Sequence, residues 1–383
     1  MTVAANVQGQ ASLDAHDAEV VARVRATVRD DVRAMHAYAV PRSEGLIKLD
    51  AMENPYPLPA DVRAKIAAAV ANVAVNRYPD AAAETTKQAL RHAFALGDGV
   101  EIVLGNGSDE LIAMLTALVA RPGATIVAPE PSFVMYRISA AIANVRYVGV
   151  PLGADFALDV DAMLAAIARE RPALVWLAFP NNPTGNLFDT ASIEAIGRAS
   201  PGLVVIDEAY YAFANRSFLL RVHEFPNMVV VRTVSKIGMA ALRLGYAVGD
   251  PGWMHELDKL RPPYNVNALT QAVAPLLLAE TALLAAQAQA VRAERERLRA
   301  ALAALPGVRP FPSHANFILA RAADANAAFE HLRREGILVK NMHGVHPALA
   351  QGLRITIGTP DENDALLRAL ATSPSTPHLP PQY

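Results

Sequence analysis

Short apolar runs alternate with helical patterns through most of the chain. The runs that we expect to form strands are EIVLG (101–105), TIVAP (125–129), VRYVGV (145–150), ALVWLAF (173–179), LVVID (203–207), MVVVRT (228–233) and RLGYAVG (243–249). Helical patterns fill the gaps at 108–120, 131–142, 159–169 and 190–199. Because several runs are continuous rather than alternating, they are typical of strands buried on both faces of a mostly parallel sheet. The pattern predicts a doubly wound α/β domain over residues 51–265.

The pattern changes after Pro263. A long helical stretch at 266–305 is interpreted as a connector, and the short strands NFILA (316–320), ILVKN (337–341) and LRITIG (353–358) alternate with two helices in a smaller α/β domain at 306–372. Residues 1–50 are expected to form an N-terminal arm with a helix near Asp14–Ala37. The Pro- and Ser-rich segment 373–383 is expected to be a loose tail.

Composition narrows the classes of function. Apolar residues make up 52% of the 383 positions and charged residues 19%, with a formal net charge of -2, which fits a globular core and argues against a general nucleic-acid binder or a polybasic membrane anchor. The absence of cysteine excludes disulfides, thiolate nucleophiles and thiolate metal sites. The sequence offers neither an uninterrupted apolar span of about 20 residues nor an evident export signal, so we expect a cytoplasmic protein.

Three polar segments follow predicted strands of the large domain. They are FPNNPTGN (179–186), the Asp207–Glu208 pair within VVIDEAYYAF (204–213), and Ser235–Lys236 within RTVSKIGMAALRLGYAVG (232–249), with Arg243 seven residues after the lysine. Ligands of open α/β sheets bind at the carboxyl ends of the strands, so the three segments could converge there. Taken singly, each has a simpler interpretation as a turn, a helix cap or surface carboxylate, or a solvated lysine.

Two of these residues carry a chemical requirement. An acid at the end of a buried strand needs a cationic partner, because an unpaired buried carboxylate shifts its pKa or destabilises the fold. Lys236 stands between an apolar strand and an apolar loop, and a desolvated lysine has a lowered pKa and acts as an amine nucleophile.

The combination of NPTG, DEAY, SK and a following arginine resembles the fold-type I aminotransferases (the class-II-type enzymes that use pyridoxal 5′-phosphate), and the similarity runs from about Lys48 to Thr372. Within that group the chain is most similar to the histidinol-phosphate aminotransferases, through KLDAMENPYPLP (48–59), NRYPD (76–80), GNGSDELI (105–112) and LRITIGT (353–359). The resemblance implies a large domain with a mostly parallel sheet flanked by helices, and a smaller C-terminal α/β domain.

The resemblance also implies catalytic roles. Lys236 would bond covalently to the cofactor and then serve as the base that moves protons. Asp207 would pair with the protonated ring nitrogen of the cofactor. Asn182 and Tyr210 would hydrogen-bond the phenolic oxygen of the ring.

Residues for the cofactor phosphate follow from the same resemblance. Gly107, Ser108 and Asp109 open a helix after a strand, where backbone N–H groups favour an anion, although the segment is equally a helix cap. Asp109 is assigned a backbone role only. Ser235 and Arg243 would add a hydroxyl and a guanidinium.

Two aromatic residues complete the implied cofactor site. Phe133 would stack on the face of the ring, with core packing as the equal alternative. Tyr78 would reach the phosphate of the neighbouring subunit's cofactor, which implies a homodimer with shared active sites.

Substrate recognition is expected to depend on cations of the small domain. Arg354 matches the position that clamps the anionic end of the substrate, and a guanidinium suits carboxylate or phosphate equally. Lys340 stands where some relatives carry a second arginine; a lysine still binds phosphate, but as a point charge without the fork, which makes the prediction of a phosphate less specific. Tyr38 would close over the substrate.

The expected function is transamination of L-histidinol phosphate with 2-oxoglutarate, which gives imidazole-acetol phosphate and L-glutamate in histidine biosynthesis. The alternatives are an aromatic or broad-specificity aminotransferase, a phosphothreonine-type decarboxylase, and a non-catalytic cofactor-binding module. No metal is expected, because His314, His343 and His346 lack the spacing and the companion ligands of a metal site.

Overall fold

The computed structural model describes residues 17–37 and 41–373. The described part of the N-terminal unit Met1–Arg42 contains helix α1 (residues 17–27) and helix α2 (Asp30–Arg33). The expectation of one helix from Asp14 to Ala37 is therefore wrong for the described part of that range. At the break, Arg29 takes an extended conformation (φ −50°, ψ 141°), and the Asp31 carboxylate accepts the Val32 N–H at 2.9 Å. Such local side-chain bonds compete with a continuous helix.

The described residues from Ser43 onward form a second compact unit. Its strands are β1 (Ile47–Leu49), β2 (Glu101–Asn106), β3 (Thr125–Glu130), β4 (Arg146–Pro151), β5 (Leu174–Ala178), β6 (Leu203–Asp207), β7 (Met228–Thr233), β8 (Leu244–Gly249), β9 (Val308–Pro310), β10 (Phe317–Ala322), β11 (Ile337–Asn341) and β12 (Gly352–Thr356). Its α-helices are α3 (Ala60–Ala71), α4 (Glu84–Phe94), α5 (Ser108–Leu118), α6 (Val134–Ile142), α7 (Val160–Glu170), α8 (Thr190–Ala199), α9 (Pro251–Asp258), α10 (Ala268–Ala279), α11 (Thr281–Ala304), α12 (Ala325–Arg334) and α13 (Pro360–Ala371).

A seven-stranded sheet has the order β2-β8-β7-β6-β5-β3-β4. Every neighbouring pair is parallel except the two that involve β8, which runs antiparallel to β2 and to β7. Helices α5, α6 and α9 cover one face, and α4, α7, α8 and α10 contribute to the core on the other. Strands buried on both faces explain the continuous apolar runs in the sequence. The predicted α/β fold with a mostly parallel sheet is confirmed.

A five-stranded sheet has the order β1-β11-β12-β10-β9. Only β1 and β11 pair in parallel, and α11, α12 and α13 contribute to the core beside this sheet. Residues 47–49, which the sequence pattern placed in an N-terminal arm, are thus a strand of this sheet. The division of the chain into a large and a small domain stays a prediction, because all the described residues from Ser43 group in one unit.

The connector expected at 266–305 is not one helix. α10 and α11 meet at an angle of 77°, and Glu280 between them has φ −78° and ψ 47°, outside the helical region. Pro275 lies inside α10 and does not mark the break. The prediction of one long helix is wrong because both segments have helix-forming sequences, and a single non-helical residue separates them.

No single helix in the described ranges is both long and apolar enough to cross a membrane, and only the bent pair α10 and α11 meets that requirement jointly by length and composition.

Candidate active site

A cleft of roughly 560 Å³, part of it open to solvent, lies where β5, β6 and β7 end. It brings together residues that are far apart in sequence, in agreement with the convergence that the strand order predicts. The lining residues are Met52, Ser108, Asp109, Phe133, Ala178, Pro180, Asn182, Asp207, Ala209, Tyr210, Thr233, Ser235, Lys236 and Arg243.

Asp207 ends β6 and is only 4% exposed. Its Oδ2 accepts the Tyr136 hydroxyl at 2.6 Å, and its Oδ1 accepts the Ala209 N–H at 3.0 Å. Within the described ranges no Lys, Arg or His lies within 4 Å of this carboxylate. Burial therefore raises the pKa of Asp207 to about 6, although the Tyr136 hydrogen bond opposes the rise.

Glu208, the acid next to Asp207, has the cationic partner that we expected for an acid at the end of a buried strand. Glu208 is fully buried, and its Oε2 accepts the Arg232 Nη2 at 2.7 Å. Its other oxygen accepts the Phe218 N–H at 2.5 Å, and the Arg232 guanidinium lies 3.9 Å from the centre of the Tyr211 ring. Glu208 is thus a structural acid, and Asp207 is the acid that faces the cleft.

Lys236 lies in a 3₁₀ turn, Ser235–Ile237, directly after β7. Its Nζ donates to the Ala51 carbonyl at 3.1 Å. Burial, and then the positive charge of Arg354, lower the pKa of Lys236 to about 8. The amine is therefore far closer to its neutral form at physiological pH than an exposed lysine would be.

A chain of hydrogen bonds crosses the cleft from the five-stranded sheet. Arg354 on β12 donates from Nη1 to Asn182 Oδ1 at 2.8 Å and from Nη2 to the Asp50 carbonyl at 2.9 Å. Asn182 in turn donates from Nδ2 to the Tyr210 hydroxyl oxygen at 3.0 Å. Burial keeps the pKa of Tyr210 well above its ordinary value, so the hydroxyl retains its proton.

A cluster of donors surrounds the first turn of α5. Gly107 precedes the helix with φ 84°, and a Cβ placed there would come 2.4 Å from Arg243 Nη2. Arg243 Nη1 donates to Ser235 Oγ at 3.3 Å, and Nη2 lies 3.5 Å from the Asp109 carboxylate. Helix amides, a hydroxyl and a guanidinium together form an anion-binding arrangement, which we call the anion cradle: Gly107, Ser108, Ser235 and Arg243.

Phe133 lies at the start of α6 and lines the cleft. Its ring meets that of Tyr136 edge-on, with centroids 5.7 Å apart. Phe133 therefore lines the cleft and also packs on Tyr136, while its stacking on the cofactor ring stays a prediction.

Lys340 and Arg354 are directly opposed on the antiparallel strands β11 and β12, and so lie on the same face of the five-stranded sheet. Tyr78 is 81% exposed, stacks on Tyr264 with ring centroids 4.5 Å apart, and is not among the residues that line the cleft. Tyr38 lies outside the described residues.

Several residues of the site escaped prediction from the sequence. Tyr136 holds Asp207, Thr233 donates from its hydroxyl to Ser235 Oγ at 2.9 Å, and Met52 lines the cleft near Tyr210. Tyr136 could have been found, because it lies one helical turn after Phe133 in PEPSFVMY. The contact of Lys236 with the Ala51 carbonyl could not have been predicted, because a backbone group leaves no mark in the order of side chains.

The histidines weighed as metal ligands have other contacts. His343 and His346 accept the backbone N–H groups of Gln351 and Ala348 at 3.1 Å each. Across the part of the chain that the structure describes, no three His, Asp or Glu side chains are grouped to hold a metal ion.

Comparison with known proteins identifies a family. The family described as "Aminotransferase class I and II" matches residues 44–370. The chain is 56% identical over 344 residues to histidinol-phosphate aminotransferase 1 of Burkholderia lata, covering 90% of this chain and 96% of that one. It is 54% identical over 351 residues to histidinol-phosphate aminotransferase 2 of Cupriavidus pinatubonensis, with the same two coverages.

A solved structure matches the fold as well. The histidinol-phosphate aminotransferase of Sinorhizobium meliloti, in complex with pyridoxal-5′-phosphate, superposes with a TM-score of 0.81 at 28% identity, covering 90% of this chain and 96% of that one.

Proposed function

The chain belongs to the family of class I and II aminotransferases, and we propose that it catalyses transamination of L-histidinol phosphate with 2-oxoglutarate. The products are imidazole-acetol phosphate and L-glutamate, in L-histidine biosynthesis, and the cofactor is pyridoxal 5′-phosphate. The relatives from Burkholderia and Cupriavidus, which carry the histidinol-phosphate aminotransferase name over nearly their whole length, support the substrate. The observation that carries the chemistry is one cleft that joins the Lys236 amine, the Asp207 carboxylate and the anion cradle.

The residues of the cleft fit this cofactor. Asp207 is a buried carboxylate with no cationic side chain within 4 Å among the described residues, and a protonated ring nitrogen is the partner that it needs. The anion cradle suits the phosphate, since Gly107 and Gly245 let its donors lie close together: a Cβ at Gly107 would come 2.4 Å from Arg243 Nη2, and one at Gly245 would come 2.6 Å from the Ser108 nitrogen. Asn182 and Tyr210 offer an amide and a hydroxyl for the oxygen of the ring.

The bound cofactor supplies an electron sink for the bond that is broken at the substrate carbon. Lys236 would attach it and would then act as the base at that carbon, a role that its lowered pKa supports, because a base must be deprotonated near the working pH. Asp207 would keep the ring nitrogen charged. Phe133 would bound the face of the ring and exclude water from it.

The anionic end of the substrate would meet Arg354 and Lys340. The two residues are paired across β11 and β12, so their charges lie side by side on one face of the five-stranded sheet, and Arg354 reaches Asn182 in the cleft. A phosphate, with its three terminal oxygens, can use both a guanidinium fork and a point charge. This pair supports histidinol phosphate over a substrate with one carboxylate at that end.

A substrate panel tests the proposal. Purified protein loaded with cofactor is assayed with histidinol phosphate, phenylalanine, tyrosine and aspartate, each with 2-oxoglutarate. We expect glutamate formation, and the highest kcat/KM for histidinol phosphate. If an aromatic amino acid gives the highest kcat/KM, the substrate is wrong, and if carbon dioxide is released in place of glutamate formation, the reaction is wrong.

We also propose a homodimer in which Tyr78 reaches the partner's site. The stacked pair Tyr78 and Tyr264, with Val75 at 82% exposure nearby in sequence, forms an exposed apolar surface of the kind that interfaces cover. A cytoplasmic location stays a prediction from the sequence.

Hybrid dimers test the sharing of sites. Lys236→Ala and Tyr78→Ala chains with different tags are co-expressed, and the hybrid is isolated with both tags. Each parent should be impaired, but the hybrid contains one site with both residues intact and should recover about half the activity per dimer. A monomer by light scattering, or a hybrid no better than its parents, contradicts the proposal.

A further inference from the structure

Tyr136 makes the shortest contact of the Asp207 carboxylate, yet it does not line the cleft. Its hydroxyl donates to Oδ2 at 2.6 Å, within the range of strong, charge-assisted hydrogen bonds. Tyr136 is fully buried and lies in the middle of the first turn of α6, the helix that begins after Phe133. One short helix thus brings an aromatic wall to the cleft and a hydroxyl to the acid behind it.

The Tyr136 ring is held firmly in place. It stacks on the indole of Trp176, with centroids 4.6 Å apart and planes at 4°, and Phe133 packs against its edge. Trp176 lies on β5 opposite Val205 of β6, two residues before Asp207, and therefore on the same face of the sheet. The stack therefore holds the Tyr136 hydroxyl in a fixed position relative to the Asp207 carboxylate.

The direction of the hydrogen bond favours a charged carboxylate. Burial and the nearby Asp207 charge keep the pKa of Tyr136 well above its ordinary value, so the phenol always has a proton to donate. A donor to a carboxylate stabilises its ionised form. Each carboxylate oxygen retains a further lone pair after accepting from Tyr136 and Ala209, so the acid can still accept from a group in the cleft.

Other charges near Asp207 act in both directions. Burial and the negative charges of Asp109 on α5 and of Glu208 favour the protonated acid. Two cations, Lys236 and Arg243, line the same cleft. Tyr136 is the largest opposing influence, followed by the Ala209 N–H.

From this geometry we propose that Tyr136 is a positioning residue for the cofactor: its hydroxyl keeps the Asp207 carboxylate ionised and oriented toward the ring nitrogen. The inference rests on the proposed pyridoxal-phosphate function, and it adds a residue that touches neither the cofactor nor the substrate.

The test is Tyr136→Phe, which removes one oxygen and keeps the stack on Trp176. Cofactor-free protein is titrated with pyridoxal 5′-phosphate between pH 5 and 9, and binding is followed by the absorbance of the bound cofactor. If the pKa of the Asp207 carboxyl rises by about one unit from about 6, the affinity should fall about twofold near pH 7 and about tenfold at pH 5, where the fraction of ionised acid differs most. The pH at which binding weakens on acidification should rise by about one unit.

Tyr147→Phe is the matched control. Tyr147 is a partly buried tyrosine on β4, the edge strand of the same sheet, and it does not line the cleft. The Tyr147→Phe protein should bind the cofactor with the same affinity and the same pH profile as the unmodified protein. 3-Fluorotyrosine introduced at position 136 keeps the hydroxyl in place and makes it a stronger donor, so the pH at which binding weakens should fall; this variant serves if the phenylalanine variant does not fold.

A double-mutant cycle separates positioning from packing. In an Asp207→Asn background, Tyr136→Phe should cause little further loss of affinity, because the charge that it supports is gone. An equal loss in both backgrounds, or an unchanged pH profile in the single variant, overturns the inference. Failure of the unmodified protein to bind the cofactor would instead reject the proposed function.

Discussion

The backbone at Gly107 offers a sharp test of the anion cradle. Its φ of 84° and ψ of 165° lie in a region that is essentially restricted to glycine, so Gly107→Ala should cost about 1–3 kcal/mol in backbone strain. The new methyl group would also come 2.4 Å from Arg243 Nη2, closer than real Cβ contacts allow. The guanidinium must therefore move, and the Ser235 hydrogen bond at 3.3 Å moves with it.

Displacing Arg243 should weaken the binding of the cofactor phosphate. A hydrogen bond to a charged group contributes about 1.5–3 kcal/mol, so the affinity for pyridoxal 5′-phosphate should fall by about 10- to 100-fold. The assay is equilibrium titration of the cofactor-free protein, with chemical unfolding of the same sample to measure the stability separately.

Gly123→Ala provides the control for strain. Gly123 also has a positive φ of 78°, but a Cβ there meets nothing within 4 Å, and the residue lies before β3 outside the cleft. This variant should lose about 1–2 kcal/mol of stability and no cofactor affinity. If Gly107→Ala binds the cofactor as tightly as the unmodified protein does, the cradle is not the phosphate site.

Three further outcomes are expected. Lys236→Ala should abolish turnover and the visible absorbance of bound cofactor, and any retained turnover would contradict its role as the base. Arg354→Lys should raise KM for histidinol phosphate by about 10- to 100-fold, because a single charged amine replaces the two-pronged guanidinium that also holds Asn182. An unchanged KM in steady-state kinetics would show that Arg354 does not bind the substrate. Asp207→Asn should stabilise the cofactor-free protein above pH 6. The carboxyl has a pKa of about 6 in the folded state against an ordinary 3.8. The free energy of unfolding therefore contains the full contribution of this group below pH 4 and loses about 3 kcal/mol as the pH rises through 6. Urea unfolding at pH 5 and pH 8 measures this, and an asparagine variant that is less stable at pH 8 would refute it.

The strands of the seven-stranded sheet were predictable because burial on both faces leaves an unbroken apolar run. MVVVRT and LVVID, for example, coincide with β7 and β6 residue for residue. The break between α10 and α11 was not predictable, since Glu280 is an ordinary helix former and its departure from helical geometry depends on the packing of the two helices on different parts of the protein. Strand β1 is three residues long, too short for a period to be visible.

The sequence predicts which side chains of the site lie at the ends of strands, but it does not predict which partners those side chains take. The order of strand ends places Asn182, Asp207 and Lys236 at one edge of the sheet, but a sequence cannot tell which of two adjacent acids takes the available cation. That choice depends on alternation along the strand. Arg232 on β7 meets Glu208 on one side of the sheet, whereas Asp207 points to the other side, where its partners among the described residues are a phenol and a backbone amide. The protein thus satisfies one buried charge internally and leaves its neighbour dependent on a ligand. This arrangement destabilises the cofactor-free protein, and for the same reason it strengthens the binding of a cationic ring.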